Sequence, residues 1–215
     1  MSTKIKIDKP RLSATLTDKH FHDLYEENEP YLSHGIISDC TIDRDMIDKI
    51  EISNVLFRKV VFHDVSFKGI ELTDVIFDHC DLSNADLMSG VLHRVEFRQS
   101  KMLGVNLSEA TLRNVIFKEC QVNFSSFGYA DLKQVKFDTC SLLNADLYEC
   151  KLQKTAIDFC QINNMNVANT SLKGIDLSTS SFERITVSVE DLSGCTVSPE
   201  QAIGFASMLG LIIKD

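Results

Sequence analysis

Residues 75–97 read VIFDHCDLSNADLMSGVLHRVEF, apolar at Phe77, Leu82, Leu87, Leu92 and Phe97, one position in five. Stepping outward in fives, this register runs from Ile52 to Val187 through 28 consecutive apolar positions. Nine of the 13 Phe lie on it, so it selects bulk as well as apolarity. A second register two residues earlier, from Ile50 to Ile185, holds only Val, Ile, Cys, Ala, Ser, Thr, Gly90 and Met165. No charge interrupts either.

A period of five fits neither the 3.6-residue helix nor the two-residue strand. Two inward residues in five require a backbone that turns a corner every five residues. Four corners close a lap of 20, and laps stack roughly 4.8 Å apart through backbone hydrogen bonds. Reading every twentieth residue tests this. Phe57, Phe77, Phe97, Phe117 and Phe137 form one column, with Val55, Val75, Val95, Val115 and Val135 beside it. All seven Cys (40, 80, 120, 140, 150, 160 and 195) fall on the second register or its extension. They read as small core fillers, and no metal site is expected from thiols stacked in rows.

The motifs Ala85-Asp86-Leu87, Ala130-Asp131-Leu132 and Ala145-Asp146-Leu147 resemble the A(D/N)LXX unit of the pentapeptide-repeat family. The resemblance covers about three-quarters of the chain. It implies an all-β solenoid, a right-handed quadrilateral β-helix of seven to eight coils with short helical caps at both ends. The handedness comes from the resemblance alone.

The regular register stops at Asp45 and Glu190, because an unpaired charge is expensive in a narrow dry core. The expected organisation is a cap segment over 1–34, repeats over 35–197, and a helix and strand over 198–215. At the N-terminus, a helix from Leu16 to Glu27 is expected, with Thr17 as its N-cap and Phe21, Leu24 and Tyr25 along one face. At the C-terminus, Ser198, Pro199 and Gln201 spell a capping box, and Gly210 supplies the stop. Leu211-Ile212-Ile213 then reads as a short strand. This tail resembles the C-terminal module of the Qnr and MfpA quinolone-resistance group. The resemblance implies a homodimer through Ile203, Phe205, Met208, Leu209, Leu211, Ile212 and Ile213. An intramolecular lid over the last coil is the other reading.

A net charge of −9 argues against a nucleic-acid binder, and no apolar run is long enough to span a membrane. The polar N-terminus and unpaired Cys pattern point to a reducing cytoplasm. Enzyme signatures are absent: no phosphate-binding glycine loop, no GxSxG and no HExxH. The six His are scattered over different faces, and a filled rod offers no pocket, so neither an enzymatic activity nor a cofactor is expected.

What remains is surface. The face centred on Phe67, Leu87, Leu107, Phe127 and Leu147 carries Asp45, Asp48, Asp86, Glu109, Asp146 and Glu149 against Lys49 and Lys68. Asp48, Asp86, Glu109, Asp146 and Glu149 are therefore the candidate partner-binding face. The Qnr/MfpA resemblance implies that the partner is DNA gyrase or topoisomerase IV, engaged by DNA mimicry. Duplex DNA carries about one charge per 1.7 Å, so a rod of about 38 Å needs on the order of 22 negative charges to match it. Residues 35–197 carry a net of −7. Literal mimicry is thus partial at best. The alternative is a general interaction scaffold anchored by Tyr129 and Tyr148.

Overall fold

In the computed structural model, which describes residues 5–25, 30–206 and 210–212, the five-residue register becomes a parallel β-solenoid. β1 (Thr17–Asp18) and a 3-10 turn (Phe21–Tyr25) lead into β2 (Tyr31–Ser38), β3 (Thr41–Asp43) and β4 (Glu51–Arg58). Then follow β5 (Val61–His63), β6 (Glu71–Asp78), β7 (Val91–Arg98), β8 (Thr111–Lys118), β9 (Asp131–Asp138) and β10 (Lys151–Asp158). The eight-residue strands start every 20 residues and pair in parallel in the order β1-β2-β4-β6-β7-β8-β9-β10. Phe57 pairs with Phe77, Phe77 with Phe97, Phe97 with Phe117 and Phe117 with Phe137. A lap is therefore 20 residues.

Each lap has four sides. The first (centred on Ile52 and its column) and second (Phe57) are the two halves of one long strand. The third (Phe62) is a short strand where β3 pairs with β5 and a tight turn in later laps, and the fourth (Phe67) is a tight turn; these turns are joined lap to lap by single bridges such as Ser66–Asp86 and Asp86–Asn106. The corner device is a left-handed residue. Every fifth residue from His34 to Asn169 has positive φ, with Asn54, Asp74, Asn84, Asn114 and Asn144 between 56° and 59°. Asn and Asp tolerate this conformation best after Gly.

The first register fills the core. Every position on it is buried except Leu152 and Phe182, which are half-buried near the C-terminal end. Rings in the column from Phe57 to Phe137 stack with centroids 4.7–5.0 Å apart and planes within 8° of parallel. On the second register, the thiols of Cys80, Cys120, Cys140 and Cys160 donate to the carbonyls of Phe57, Phe97, Phe117 and Phe137 at 3.3–3.6 Å. Ser100, Thr155, Thr170 and Ser180 do the same with hydroxyls. Cysteine is thus one of several small donors to the preceding lap. Burial pushes the Cys80 thiol up to about 11 and that of Cys150 to about 12, so both stay protonated. Cys40 and Cys195 correct the core-filler reading: Cys40 is exposed and Cys195 half-buried. Cys40 sits in the first lap and has no complete lap behind it to enclose its side chain.

Of the helix expected over Leu16–Glu27, the described residues 16–25 form only the 3-10 turn Phe21–Tyr25, and Glu26 and Glu27 lie outside the described residues. Thr17 is no N-cap: Thr17–Asp18 pairs as a strand with Gly35–Ile36, and the Lys19 N–H donates to the Ile36 carbonyl at 2.9 Å. The open edge of β2 offers backbone partners that a helix there would leave unpaired. A Cβ on Gly35 would stand 2.5 Å from Lys19 Cγ, so this close approach needs glycine. Phe21 and Leu24 are buried and plug the end of the core, Phe21 lying 5.6 Å from Phe67. Asp45 is half-buried and accepts a hydrogen bond from Tyr25 Oη at 3.1 Å.

Before the plug, residues 5–13 run as an extended arm along the rod rather than over its end. The backbone N–H groups of Ser13, Arg11 and Asp8 donate to the side chains of Asn54, Asp74 and Asn114, and Gln134 donates to the Lys6 carbonyl. These four partners are corner residues of successive or alternate laps between the first and second sides. Seven residues cross four laps, about 19 Å at strand spacing, which suits an extended chain. Ile5 and Ile7 meet Ile116 and Ala156 along a shared groove, which accounts for apolar residues at outward positions of the second side.

At the other end the stack loosens. The N–H groups of Glu183 and Arg184 both donate to Asn163 Oδ1 at 3.1 Å and Asn164 N–H reaches the Arg184 carbonyl, a local distortion of the corner, while the bridges Gln161–Ser181 and Asn166–Thr186 keep the 20-residue lap. α1 (Pro199–Ala206) starts with the expected capping box: Gln201 N–H donates to Ser198 Oγ at 3.2 Å and Ser198 N–H to Gln201 Oε1 at 2.9 Å. Gly210 has φ 73°, and the Leu211 N–H closes back on the Ala206 carbonyl. Leu211 and Ile212 form no strand, since that closure turns the chain away from any free edge. Met208, Leu209 and Ile213 lie outside the described residues. Among the described residues, no helix is long and apolar enough to cross a membrane.

Candidate functional site

The expected acidic face is the fourth side, and its five carboxylates differ in what they do. Asp86 and Asp146 belong to the turns. Each accepts the N–H two residues on, Met88 and Tyr148, at 3.2 Å, and each takes an Nδ2–H from the Asn 20 residues later, Asn106 at 2.9 Å and Asn166 at 2.8 Å. The outer oxygen of Asp86 then pairs with Lys68 Nζ at 3.5 Å. Asp48 is exposed in the first lap, far from the others. Glu109 and Glu149 are exposed corner residues, Glu109 accepting from Ser89 Oγ at 3.1 Å and Glu149 from Asn169 at 3.4 Å.

The structure therefore brings together only Glu109, Asp146 and Glu149, over the fourth to sixth laps. Two tyrosines share that stretch. Tyr129 is 58% exposed, and its ring meets that of Tyr148 edge-to-face with centroids 5.6 Å apart. Asn169 donates to Tyr148 Oη at 3.1 Å, and hydrogen bonding to Glu149 raises the Tyr148 phenol above its usual range. Sequence reasoning named these tyrosines but missed that Asp86 and Asp146 are turn caps. The signal was there at the lap period, in Asn106 and Asn166.

Two of the histidines with shifted titration lie elsewhere. His63, on the third side, contacts Asp43 at 2.6 Å and Asp64 at 3.7 Å, which raise its pKa. On the first side, burial and then Arg94 lower that of His93. Neither stands beside a nucleophile in a closed pocket. The hollows among the described residues include open grooves: about 680 Å³ beside the arm, about 500 Å³ beyond β10, and an apolar one of about 360 Å³ at the tail. Of the expected dimer residues, Ile203, Leu211 and Ile212 are exposed, whereas Phe205 lines the tail groove and packs 5.6 Å from Phe182.

Comparison with known proteins fits this geometry. A family model described as a pentapeptide repeat region matches residues 70–141 and 90–167. YisX of Bacillus subtilis, itself uncharacterized, is 46% identical over 98% of this chain and 99% of its own length. Among solved structures, QnrB1, a plasmid-mediated fluoroquinolone resistance protein, is 18% identical, with a TM-score of 0.45 over 83% of this chain and 97% of its own. HetL of Nostoc sp. strain PCC 7120, involved in heterocyst differentiation regulation, is 16% identical, with a TM-score of 0.35 over 73% and 86%. Likeness at those levels says nothing of what this chain binds. The relative matched from end to end, the family model and the 20-residue lap agree: the chain belongs to the pentapeptide-repeat family.

Proposed function

We propose that this chain is a non-enzymatic binding rod of the cytoplasm that docks the fourth side on a protein partner. In this reading the partner is a type II topoisomerase, DNA gyrase or topoisomerase IV, which the rod protects from quinolones or inhibits. The observation that carries the docking is one stretch of one side with uncompensated carboxylates (Glu109, Asp146, Glu149) around the exposed Tyr129 and the half-buried Tyr148. Aromatic anchors ringed by polar groups are what binding surfaces concentrate. The arm occupies the corner between the first and second sides, which leaves the fourth open. The topoisomerase rests on the resemblance of the tail to the Qnr/MfpA module. With Asp86 matched by Lys68, docking uses a few strong points rather than a continuous imitation of duplex charge. A second copy at the tail fits the exposed Ile203, Leu211 and Ile212 beside an apolar groove.

The general scaffold with another partner is favoured by the turn-cap role of Asp86 and Asp146, which gives two of the five expected contacts a purely structural reason. Supercoiling by purified gyrase, with and without ciprofloxacin, separates the readings. The topoisomerase reading expects altered supercoiling or drug-induced cleavage, lost in a Glu109→Lys, Glu149→Lys variant whose turn caps are intact. No effect at any concentration sinks it.

A further inference from the structure

The arm is held by its backbone. Every arm atom in its hydrogen bonds to the rod is a main-chain N–H or carbonyl. Ser13 N–H donates to Asn54 Oδ1, Arg11 N–H to Asp74 Oδ1 and Asp8 N–H to Asn114 Oδ1. In return Asn54 Nδ2 donates to the Arg11 carbonyl at 3.5 Å and Gln134 Nε2 to the Lys6 carbonyl at 3.0 Å. A carboxamide presents both a donor and an acceptor, as a strand edge does, so this corner column acts as a ladder made of side chains. Its one member between Asn54 and Gln134 that cannot accept is Arg94, whose guanidinium is held on Asp74 at 2.6 Å. Arg94 falls between the Asp74 and Asn114 bonds, level with Lys9-Pro10, where proline has no N–H to give.

Arm side chains add little. Among the described residues, those of Lys6, Asp8, Lys9 and Arg11 make no ion pair and no hydrogen bond. The charges beside the groove are matched with one another: Lys136 meets Asp138 at 3.3 Å and Asp158 at 3.1 Å, and Arg98 meets Glu96 at 2.7 Å. What remains is apolar. Ile5 and Ile7, two residues apart and so on one side of an extended chain, lie against Ile116 and Ala156. No residue from 5 to 13 is buried, and a hollow of about 680 Å³ stays open beside them. A segment with no buried residue opens at low cost. The column thus recognises an extended backbone with apolar side chains at alternate positions, and little else of the sequence it holds.

We propose that this corner column and its groove form a peptide-binding site, which the arm fills in cis. An extended segment of a protein partner, with apolar side chains two residues apart, takes the arm's place. Main-chain bonds supply affinity and the groove supplies selection, as when a peptide adds to a strand edge. The site stands apart from the fourth side, so either reading can fall alone.

The test uses the full chain carrying Ile5→Asp and Ile7→Asp, which disfavours the arm beside Asp138 and Asp158 and leaves every rod residue in place. Fluorescein-labelled peptides are titrated and followed by anisotropy. The first is the arm sequence Ile-Lys-Ile-Asp-Lys-Pro-Arg-Leu-Ser. The second, Ile-Gly-Ile-Ser-Ala-Pro-Ala-Ala-Ser, removes the arm's charges and keeps its isoleucines, and the third replaces those isoleucines by Asp. The first two should bind saturably within about threefold of each other and the third about tenfold or more weaker, from the lost apolar burial. Unaltered protein should bind more weakly than the variant, because its own arm competes. Asn114→Gly, added to the variant, keeps the left-handed corner but removes one bond, weakening binding roughly 2- to 13-fold. Circular dichroism shows whether the variant keeps the solenoid; where it does not, Arg11→Pro, which removes one arm N–H, takes its place. No saturable binding of the arm peptide overturns the site, as does equal binding of the Asp peptide or full affinity in Asn114→Gly. Binding of the arm peptide alone also overturns it, making the groove a seat for this chain's own arm.

Discussion

Replacing Phe97 by Ala tests whether the column of rings holds the laps together. Phe97 is fully buried in the fourth lap, its ring 4.8 Å from Phe77 and 4.9 Å from Phe117. Burying about 200 Å² of side chain at roughly 25 cal/mol per Å² corresponds to about 5 kcal/mol, and Phe→Ala losses in cores run about 3–5 kcal/mol. Phe97→Leu keeps most of the apolar volume but loses two ring stacks, at about 0.5–1.5 kcal/mol each, so it should cost about 1–3 kcal/mol. Phe124→Ala is the control: the same side chain removed where it is 65% exposed should cost under about 0.5 kcal/mol. Guanidinium unfolding followed by circular dichroism reads all three. Because each lap contacts only its neighbours, hydrogen exchange should also quicken first in the third and fifth laps. A Phe97→Ala loss within about 1 kcal/mol of Phe124→Ala would refute the enclosed column.

Removing residues 1–13 strips Asn54, Asp74, Asn114 and Gln134 of their arm partners. It should lower stability by about 2–6 kcal/mol in the same unfolding assay, at about 0.5–1.5 kcal/mol per net hydrogen bond. The arm should also loosen in acid. Burial pushes the Asp74 carboxyl up, but the Arg94 guanidinium and the Arg11 N–H outweigh it and hold the carboxyl below its ordinary value. Its contribution is thus fully present above about pH 3.9 and lost as pH falls through the lower folded value, so protection of the Arg11 amide from exchange should fade there. Cys150→Ser should cost under about 1.5 kcal/mol by unfolding, since Thr170 and Ser180 already make the same bond with a hydroxyl. Ile203→Glu with Ile212→Glu should convert a dimer to a monomer in sedimentation; an unchanged mass would remove the tail from the interface.

The lap was legible because a five-residue register admits one solution: inward residues must be apolar and outward ones need not be. What the register left out is set by other forces. Thr17 reads as a helix cap, yet a bare strand edge nearby offers its backbone better partners. The arm carries no periodic signal, and its bonds go to corner residues 41 to 128 positions away. Its trace in the sequence is indirect, in Ile116 and Ala156 at outward positions of the second side, where exposed polar residues would be expected.

The acidic face was legible only as a sum of charges. Summing treats Asp86 and Asp146 alike, and the difference between them is not in either residue but 18 positions earlier, in Lys68 and Gly128. Helices and strands rarely offer such a comparison, because no two sites share a framework. A solenoid repeats its framework every lap, so equivalent residues meet equivalent backbone and a departure in one column has few structural reasons. Gly128 has no positive φ, but it is buried at an outward position where the equivalent residues of other laps are not. What sets this stretch apart is carboxylates with no cation beside them, Glu109, Asp146 and Glu149, near the exposed Tyr129. That is why the fourth side, between the fourth and sixth laps, is a place to look for what this rod binds.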